Sequence, residues 1–151
     1  VVFLKMERRK FIKTGCGACI ALSSGILIGS FASCTPKLSI AKVTPKDMKF
    51  SIPESDMLAT DIKMITVRNF DYDVFLKKNN DGSYLAIAMI CTHAGHSLVK
   101  TGNKLYCPLH GSEFDLTGNV LKGPAERHLV HLPVANENGI IEITLINAAD
   151  I

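Results

Sequence analysis

The chain has 151 residues, of which 47% are hydrophobic, enough for one domain of ordinary size with a real core and for one appendage. Its net charge of +3 has two parts of opposite sign: residues 1–34 carry five basic and one acidic side chain, whereas the rest carries 12 basic and 13 acidic ones. The folded part therefore lacks the basic excess that nucleic-acid binding requires, and we expect no nucleic-acid partner.

Residues 1–34 have the pattern of an export signal or membrane anchor helix. The stretch Glu7-Arg8-Arg9-Lys10-Phe11-Ile12-Lys13 resembles the twin-arginine signal, in which paired arginines precede an apolar pair and a lysine. Twenty uncharged residues follow, enough to cross a bilayer core of roughly 30 Å, but eight of them are Gly or Ser, as is typical of an exported signal. We expect export by the twin-arginine route to the periplasm or the outer face of a bacterial membrane.

The apolar run ends at Phe31-Ala32-Ser33-Cys34, which resembles the bacterial lipoprotein cleavage box with Cys34 as the acylated residue. Phe31 departs from the usual Leu, Ile or Val. Lipidation at Cys34, plain cleavage and an uncleaved anchor helix remain open, and each of them places residues 35–151 outside the cytoplasm.

After Pro36 the apolar residues alternate with period two, which predicts a mostly β domain without any amphipathic helix of ten or more residues. Asn79-Asn80-Asp81-Gly82 and Thr101-Gly102-Asn103 are predicted hairpin turns, and Asn136 to Gly139 is predicted to join the last two strands. The predicted strands are residues 38–43, 62–67, 73–77, 84–89, 97–99, 104–106, 113–115, 120–121, 129–132 and 140–145.

Two loops offer a thiol and an imidazole each. Cys91-Thr92-His93 and Cys107-Pro108-Leu109-His110 flank one short predicted hairpin, which brings them together. Two thiolates and two imidazoles suit either one tetrahedral zinc ion or a 2Fe-2S cluster with both histidines on one iron. The three other cysteines fall in residues 1–34, so the globular part has none to spare for a structural disulfide.

These motifs, with the Phe-Asp and Gly-Pro-Ala that follow, resemble the Rieske iron-sulfur family over roughly residues 38–146. The resemblance implies an all-β fold, an antiparallel β sandwich with a small inserted cluster-binding subdomain. It also implies a Rieske-type 2Fe-2S cluster, with Cys91 and Cys107 on one iron and His93 and His110 on the other. A zinc site made from the same four residues is the minor alternative.

The resemblance extends to residues around the expected cluster. Gly95 and Gly111 would let backbone N–H groups approach the sulfurs, and Ser112 would donate its hydroxyl to a sulfide. Gly123 and Pro124 would begin the loop that covers the cluster. Two departures from quinol-oxidising members follow: His96 and Leu109 stand where a disulfide would join the loops, and Phe114 replaces a tyrosine that donates to a ligand sulfur. We therefore expect a reduction potential below the top of the Rieske range of roughly −150 to +300 mV.

Two functions remain open. The first is a tethered or periplasmic electron carrier in a membrane-associated respiratory chain, passing electrons between a redox enzyme such as a molybdenum oxidase and a cytochrome. The second is the iron-sulfur subunit of a cytochrome bc-type quinol oxidoreductase, with quinol meeting His93 or His110. Both require a redox partner protein, and both attach the protein to a membrane through the N-terminal anchor or a lipid.

Overall fold

The structure is a computed structural model that describes residues 39–151. The predictions made for the signal segment and for Cys34 fall outside these residues. Within them, regular structure consists of twelve β-strands and two short 3-10 helices, Glu54–Met57 and Ala148–Asp150. No helix in this part of the chain is long and apolar enough to span a membrane.

Two sheets form the base of the domain. The strands of the base are β1 (Ser39–Val43), β2 (Lys49–Pro53), β3 (Ile62–Val67), β4 (Val74–Lys78), β5 (Tyr84–Ala88), β10 (His131–Leu132), β11 (Val134–Glu137) and β12 (Ile140–Thr144). The first sheet has the strand order β1-β3-β4-β5-β10, and every neighbouring pair in it is antiparallel except β1 with β3, which is parallel. The second has the order β11-β12-β2 and is antiparallel.

The two sheets of the base pack face to face around a first core. Val74 and Leu76 from the first sheet share this core with Ile141 and Ile143 from the second, and all four side chains are fully buried. The alternating pattern predicts such an arrangement, because side chains two residues apart along a strand lie on the same face of the sheet.

The hairpin of β4 and β5 is buried on both faces. Phe75 and Ile87 point away from the first core and belong to a second core, together with Met89 just beyond β5. Burial on both faces explains why these strands are almost continuously apolar instead of alternating with polar residues. The β4–β5 hairpin therefore separates the first core from the second core.

An inserted sheet covers that other face. It consists of β6 (Val99–Thr101), β7 (Lys104–Tyr106), β8 (Glu113–Asp115) and β9 (Val120–Lys122), in that order and all antiparallel. The insertion leaves the base after β5 and returns as β10, which pairs with β5. The chain thus departs from and rejoins the first sheet at neighbouring positions, as expected for a small subdomain inserted in a larger one.

The predicted strand pairing near the end of the chain is wrong in one respect. Residues 129–132 and 140–145 were expected to face each other across a polar turn, but β10 belongs to the first sheet, and β12 pairs with β11. Pro133 lies between β10 and β11, where the chain passes from one sheet to the other and no N–H is needed. The turn itself is at Asn138 and Gly139, both with positive φ, which matches the Asn-Gly hairpin preference.

Candidate metal centre

The two cysteine-histidine loops have the same backbone geometry. In the first loop the Gly95 N–H donates to the Cys91 carbonyl at 2.8 Å, and the Cys91 N–H donates to the His96 carbonyl at 2.8 Å. In the second, Gly111 donates to Cys107 at 3.0 Å, and Cys107 donates to the Ser112 carbonyl at 2.9 Å. Each loop is therefore a closed six-residue turn that begins with the cysteine.

A glycine makes each of these turns possible. Gly95 and Gly111 occupy the fifth position of their loops, with φ values of 64° and 79°, in the left-handed region that side chains with a Cβ rarely adopt. Their own N–H groups are used inside the loops, as donors to the cysteine carbonyls. The contribution of these glycines is thus to close the loops and present the neighbouring groups.

The four predicted ligands lie at two depths. Cys91 and Cys107 are unpaired thiols, each only 1% exposed, and both belong to the second core. His93 and His110 are exposed, and their rings meet edge to face with centroids 5.0 Å apart and planes at 81°. Rings in this arrangement can each turn one nitrogen toward a common point, so the chemistry of the donor set fits two thiolates inside and two imidazoles outside.

The four side chains do not form a single-ion site in this arrangement. Among residues 39–151, no group of three or more His, Cys, Asp or Glu side chains is placed to hold one metal ion. A tetrahedral zinc site takes four protein ligands around one point, whereas each iron of a 2Fe-2S cluster with bridging sulfides takes two.

Ser112, the last residue of the second loop, is fully buried, and its Oγ accepts a hydrogen bond from the Ala125 N–H at 3.0 Å. Because the hydroxyl oxygen is the acceptor here, its own proton stays available for donation elsewhere. Ala125 follows the cis peptide bond between Gly123 and Pro124, two exposed residues. The predicted covering loop is therefore bonded to the second ligand loop.

The same segment, residues 123–128, also holds the first ligand loop; we call it the bridging segment. The Thr92 hydroxyl donates to the Arg127 carbonyl at 2.7 Å, and Arg127 Nη2 donates to the Thr92 carbonyl at 3.3 Å. Sequence reasoning missed both residues. The pair lies 35 positions apart, and no local pattern signals a contact at that distance.

Phe114 lies on β8, is fully buried and belongs to the second core with both cysteines. His96 and Leu109, by contrast, are exposed residues of the two ligand loops, Leu109 at 51%. Neither of them joins one loop to the other by a hydrogen bond among the described residues. The site is thus walled on its inner side by an aromatic ring and open at its tip.

The turn after β8 fixes the far end of the inserted sheet. Burial raises the pKa of the Asp115 carboxyl, but hydrogen bonds from Thr117 and Asn119 outweigh it and lower this pKa from 3.8 to about 2. The Thr117 carbonyl accepts a bond from His131 Nε2 at 2.8 Å, and Leu129 donates to the Gly118 carbonyl at 2.8 Å. This turn therefore docks the inserted sheet onto the base.

The chain is similar in sequence to known iron-sulfur subunits over part of its length. A cytochrome b6-f complex iron-sulfur subunit from Synechococcus sp. (strain WH7803) is 46% identical over 59 residues, which are 38% of this chain and 33% of that protein. The ubiquinol-cytochrome c reductase iron-sulfur subunit of Rhodobacter capsulatus is 42% identical over 62 residues, 37% of this chain and 31% of that one. The matched stretch thus spans about a third of the length of these curated relatives.

Among solved structures, the plasma membrane Rieske protein PetC3 from Synechocystis PCC 6803 superposes with a TM-score of 0.50 at 30% identity, covering 61% of this chain and 94% of that one. Residues 49–135, more than half of the chain, match the Rieske [2Fe-2S] domain. The predicted all-β Rieske fold and its cofactor, a Rieske-type 2Fe-2S cluster, are confirmed. The chain therefore belongs to the Rieske 2Fe-2S domain family.

Proposed function

We propose that this protein carries electrons one at a time through a 2Fe-2S cluster in which Cys91 and Cys107 bind one iron and His93 and His110 bind the other. The observation that supports the proposal is the contrast between the buried thiols and the exposed imidazoles. The thiols lie in the second core, whereas the imidazoles meet at the exposed tip of the inserted subdomain. Electrons would enter and leave through the imidazoles.

The cluster, when bound, supplies a one-electron couple, since thiolates stabilise ferric iron and neutral imidazoles leave the other iron reducible. The protein's own residues shape that couple. Met89, Leu105 and Phe114 exclude water from the thiolate side of the site. The Ser112 hydroxyl, whose oxygen accepts from the Ala125 N–H, keeps its own proton for a hydrogen bond to the cluster that would favour the reduced state.

We place the protein outside the cytoplasm, exported by the twin-arginine route and attached to a membrane by its N-terminal segment or by a lipid on Cys34. The paired arginines and the residues before Cys34 support this location. A cytochrome is the favoured redox partner, because relatives in the comparison are iron-sulfur subunits of cytochrome complexes.

A second candidate is the iron-sulfur subunit of a quinol oxidoreductase, with quinol meeting an exposed imidazole. The similarity to the ubiquinol-cytochrome c reductase iron-sulfur subunit of Rhodobacter capsulatus favours it. Exposed His96 and Leu109, in place of a disulfide between the loops, favour instead a carrier of more modest potential, whose donor is a redox enzyme such as a molybdenum oxidase. Reduction of the purified protein by a quinol in the presence of a cytochrome bc complex would favour the second candidate, and reduction by the redox enzyme alone would favour the carrier.

Electron paramagnetic resonance of the dithionite-reduced protein, combined with a potentiometric titration, tests the cluster and its ligands. We expect the low average g value of a histidine-ligated 2Fe-2S cluster, and loss of that signal in Cys107→Ser and His110→Ala. His96→Asn is the matched control, because His96 is an exposed histidine of the first loop outside the ligand set. A silent protein that contains zinc would overturn the proposal.

Fractionation of cells tests the location. Replacing Arg8 and Arg9 together by lysine keeps the charge but removes the paired guanidinium groups, so the cluster-loaded protein should stay in the cytoplasm. Cys34→Ser should leave export intact and abolish incorporation of labelled fatty acid. Unchanged export of the double-lysine variant would contradict the twin-arginine assignment.

A further inference from the structure

The two ligand loops are connected through a third part of the chain. Among residues 39–151, no disulfide and no direct hydrogen bond joins residues 91–97 to residues 107–112. Each loop is bonded instead to the bridging segment, residues 123–128. Apart from the packing of both cysteines in the second core, the hydrogen bonds that fix the relative position of the two loops therefore run through this segment.

The two attachments differ in kind. On the second loop, the bond from Ala125 to Ser112 is buried and uses a hydroxyl that is fully shielded from water. On the first loop, Thr92 and Arg127 exchange two bonds, one from the hydroxyl and one from the guanidinium group. A reciprocal pair of hydrogen bonds restrains both distance and orientation. The solvent-exposed attachment of the first loop thus has two hydrogen bonds, whereas the buried attachment of the second loop has one.

The Arg127 bond also places a charge. Nη2 donates to the carbonyl of Thr92, the residue directly before His93. A guanidinium group stays charged at any pH at which the protein is folded. A fixed positive charge against the peptide that carries an iron-binding imidazole favours the more negative of two redox states.

We propose that Arg127 is a positioning residue for the metal centre: with Thr92 it fastens the first ligand loop to the bridging segment, and its charge favours the reduced state. The inference rests on the proposed ligand assignment of His93 and Cys91. It assigns to this chain a non-covalent connection between the loops through the bridging segment, made by Thr92 and Arg127 on the first loop and by Ser112 and Ala125 on the second.

Hydrogen-deuterium exchange of the cluster-loaded full chain and a redox titration followed by electron paramagnetic resonance test the proposal together. In Arg127→Ala, amides of residues 91–96 should exchange about three to ten times faster, as expected for loss of the one hydrogen bond that the guanidinium group donates, since the bond to the Arg127 main-chain carbonyl does not need the side chain. The midpoint potential should fall. Arg127→Lys, which keeps the charge but not the fork of donors, should keep most of the potential and lose part of the protection.

Variants of the threonine separate the hydroxyl from the charge. Thr92→Val should raise exchange in residues 91–96 with a smaller change of potential, and Thr92→Ser should restore the protection. Lys122→Ala is the matched charge control, since Lys122 is an exposed cation on β9 just before the bridging segment. It should change neither the exchange of residues 91–96 nor the potential.

Three results would overturn the inference: wild-type exchange and potential in Arg127→Ala, faster exchange spread evenly over residues 39–151, or an equal fall of potential in Lys122→Ala. Failure of the proposed function is distinguishable. In that case the wild-type protein itself gives no cluster signal, whereas the exchange comparison at residues 91–96 still decides whether Arg127 and Thr92 hold the loop.

Discussion

Phe114 lacks the hydroxyl oxygen of a tyrosine, and we expect that one atom to affect the reduction potential of the metal centre. Its ring is fully buried in the second core with Cys91 and Cys107, at the position where high-potential relatives were expected to carry a tyrosine. Phe114→Tyr adds a donor beside the thiolates. A hydrogen bond of about 1 kcal/mol corresponds, for a one-electron couple, to about 40 mV, so we expect the midpoint potential to rise by roughly that amount.

A matched control separates this effect from repacking. Phe50→Tyr places the same hydroxyl in the first core, which does not contain the cysteines. Both variants should lose stability to denaturant, because each buries an extra polar group, but only Phe114→Tyr should shift the potential in a titration. Equal potentials in Phe114→Tyr and the wild-type protein would contradict the assigned role of this position.

Asp115 makes a prediction about acid stability. Its pKa is lowered from 3.8 to about 2 in the folded protein, where burial is outweighed by hydrogen bonds from Thr117 and Asn119. A lowered pKa contributes stability that is fully present above the unfolded value, near pH 4, and is lost as the pH falls toward 2. Asp115→Asn should therefore cost about 1–2 kcal/mol at pH 7, discounted for solvent screening, and much less at pH 2.

Urea denaturation at a series of pH values measures this difference. Asp61→Asn is a suitable control, because Asp61 is exposed and its carboxylate makes no hydrogen bond among those described for residues 39–151. It should leave the pH dependence of stability as it is in the wild-type protein. A constant cost of Asp115→Asn from pH 7 to pH 2 would show that the turn is held by something other than the ionised carboxylate.

At the scale of elements, β4 and β5 divide the molecule into two packing layers. Phe75 faces the inserted sheet, and its neighbour Leu76 faces the first core, although both are fully buried. Truncation of either side chain to alanine should cost about 3–4 kcal/mol, within the usual range for large buried residues. Phe75 shares the second core with both cysteines, whereas Leu76 belongs to the first core. The two truncations should therefore differ in their effect on the metal centre.

We expect Phe75→Ala to speed the loss of the cluster signal on standing, and Leu76→Ala, at a comparable cost in urea denaturation, to leave it much closer to that of the wild-type protein. The comparison uses adjacent positions of one strand, so it holds the site of mutation nearly constant. Similar rates of cluster loss in the two variants would mean that general stability, and not the second core, retains the cluster.

Some strands could be predicted from the sequence, and others could not. Strand β3 was predicted with its observed bounds, because four of its six residues are apolar. Its buried face includes Lys63, which the sequence did not predict to be buried and which pairs with Asp56 at 2.8 Å. Strands β2 and β11 were missed. The apolar signal of β2 comes from only two buried residues, Phe50 and Ile52, and β11 contains no buried residue at all.

At the metal centre, the two ligand loops could be predicted from the sequence, but the long-range contacts that hold them could not. Cysteine and histidine spacing is a local signal, and the structure brings these loops together as expected, with an imidazole from each in contact. The Thr92–Arg127 pair and the sheet change at Pro133 depend on which distant segments meet, and no window of neighbouring residues contains that information. Pairing across the fold had to be seen in the structure.

For the whole molecule, the division into two cores predicts how it responds when the cluster is removed. Cys91 and Cys107 are buried members of the second core, so removal of their cofactor leaves two thiols and two loops without a common partner. The first core contains no proposed ligand and keeps all its contacts. We expect the cluster-free protein to unfold in two thermal steps, the inserted subdomain first, and the loaded protein in one step at a higher temperature.

Calorimetry of the loaded and cluster-free full chain, with hydrogen-deuterium exchange below the first transition, checks this expectation. Amides of β6, β7 and β8 should lose protection in the cluster-free protein, while those of β3, β4 and β12 keep it, because the latter belong to sheets packed around the first core. If the cluster-free protein instead unfolded in a single step with uniform loss of protection, the β4–β5 hairpin would couple the two cores, and the base would need the metal centre for its own stability.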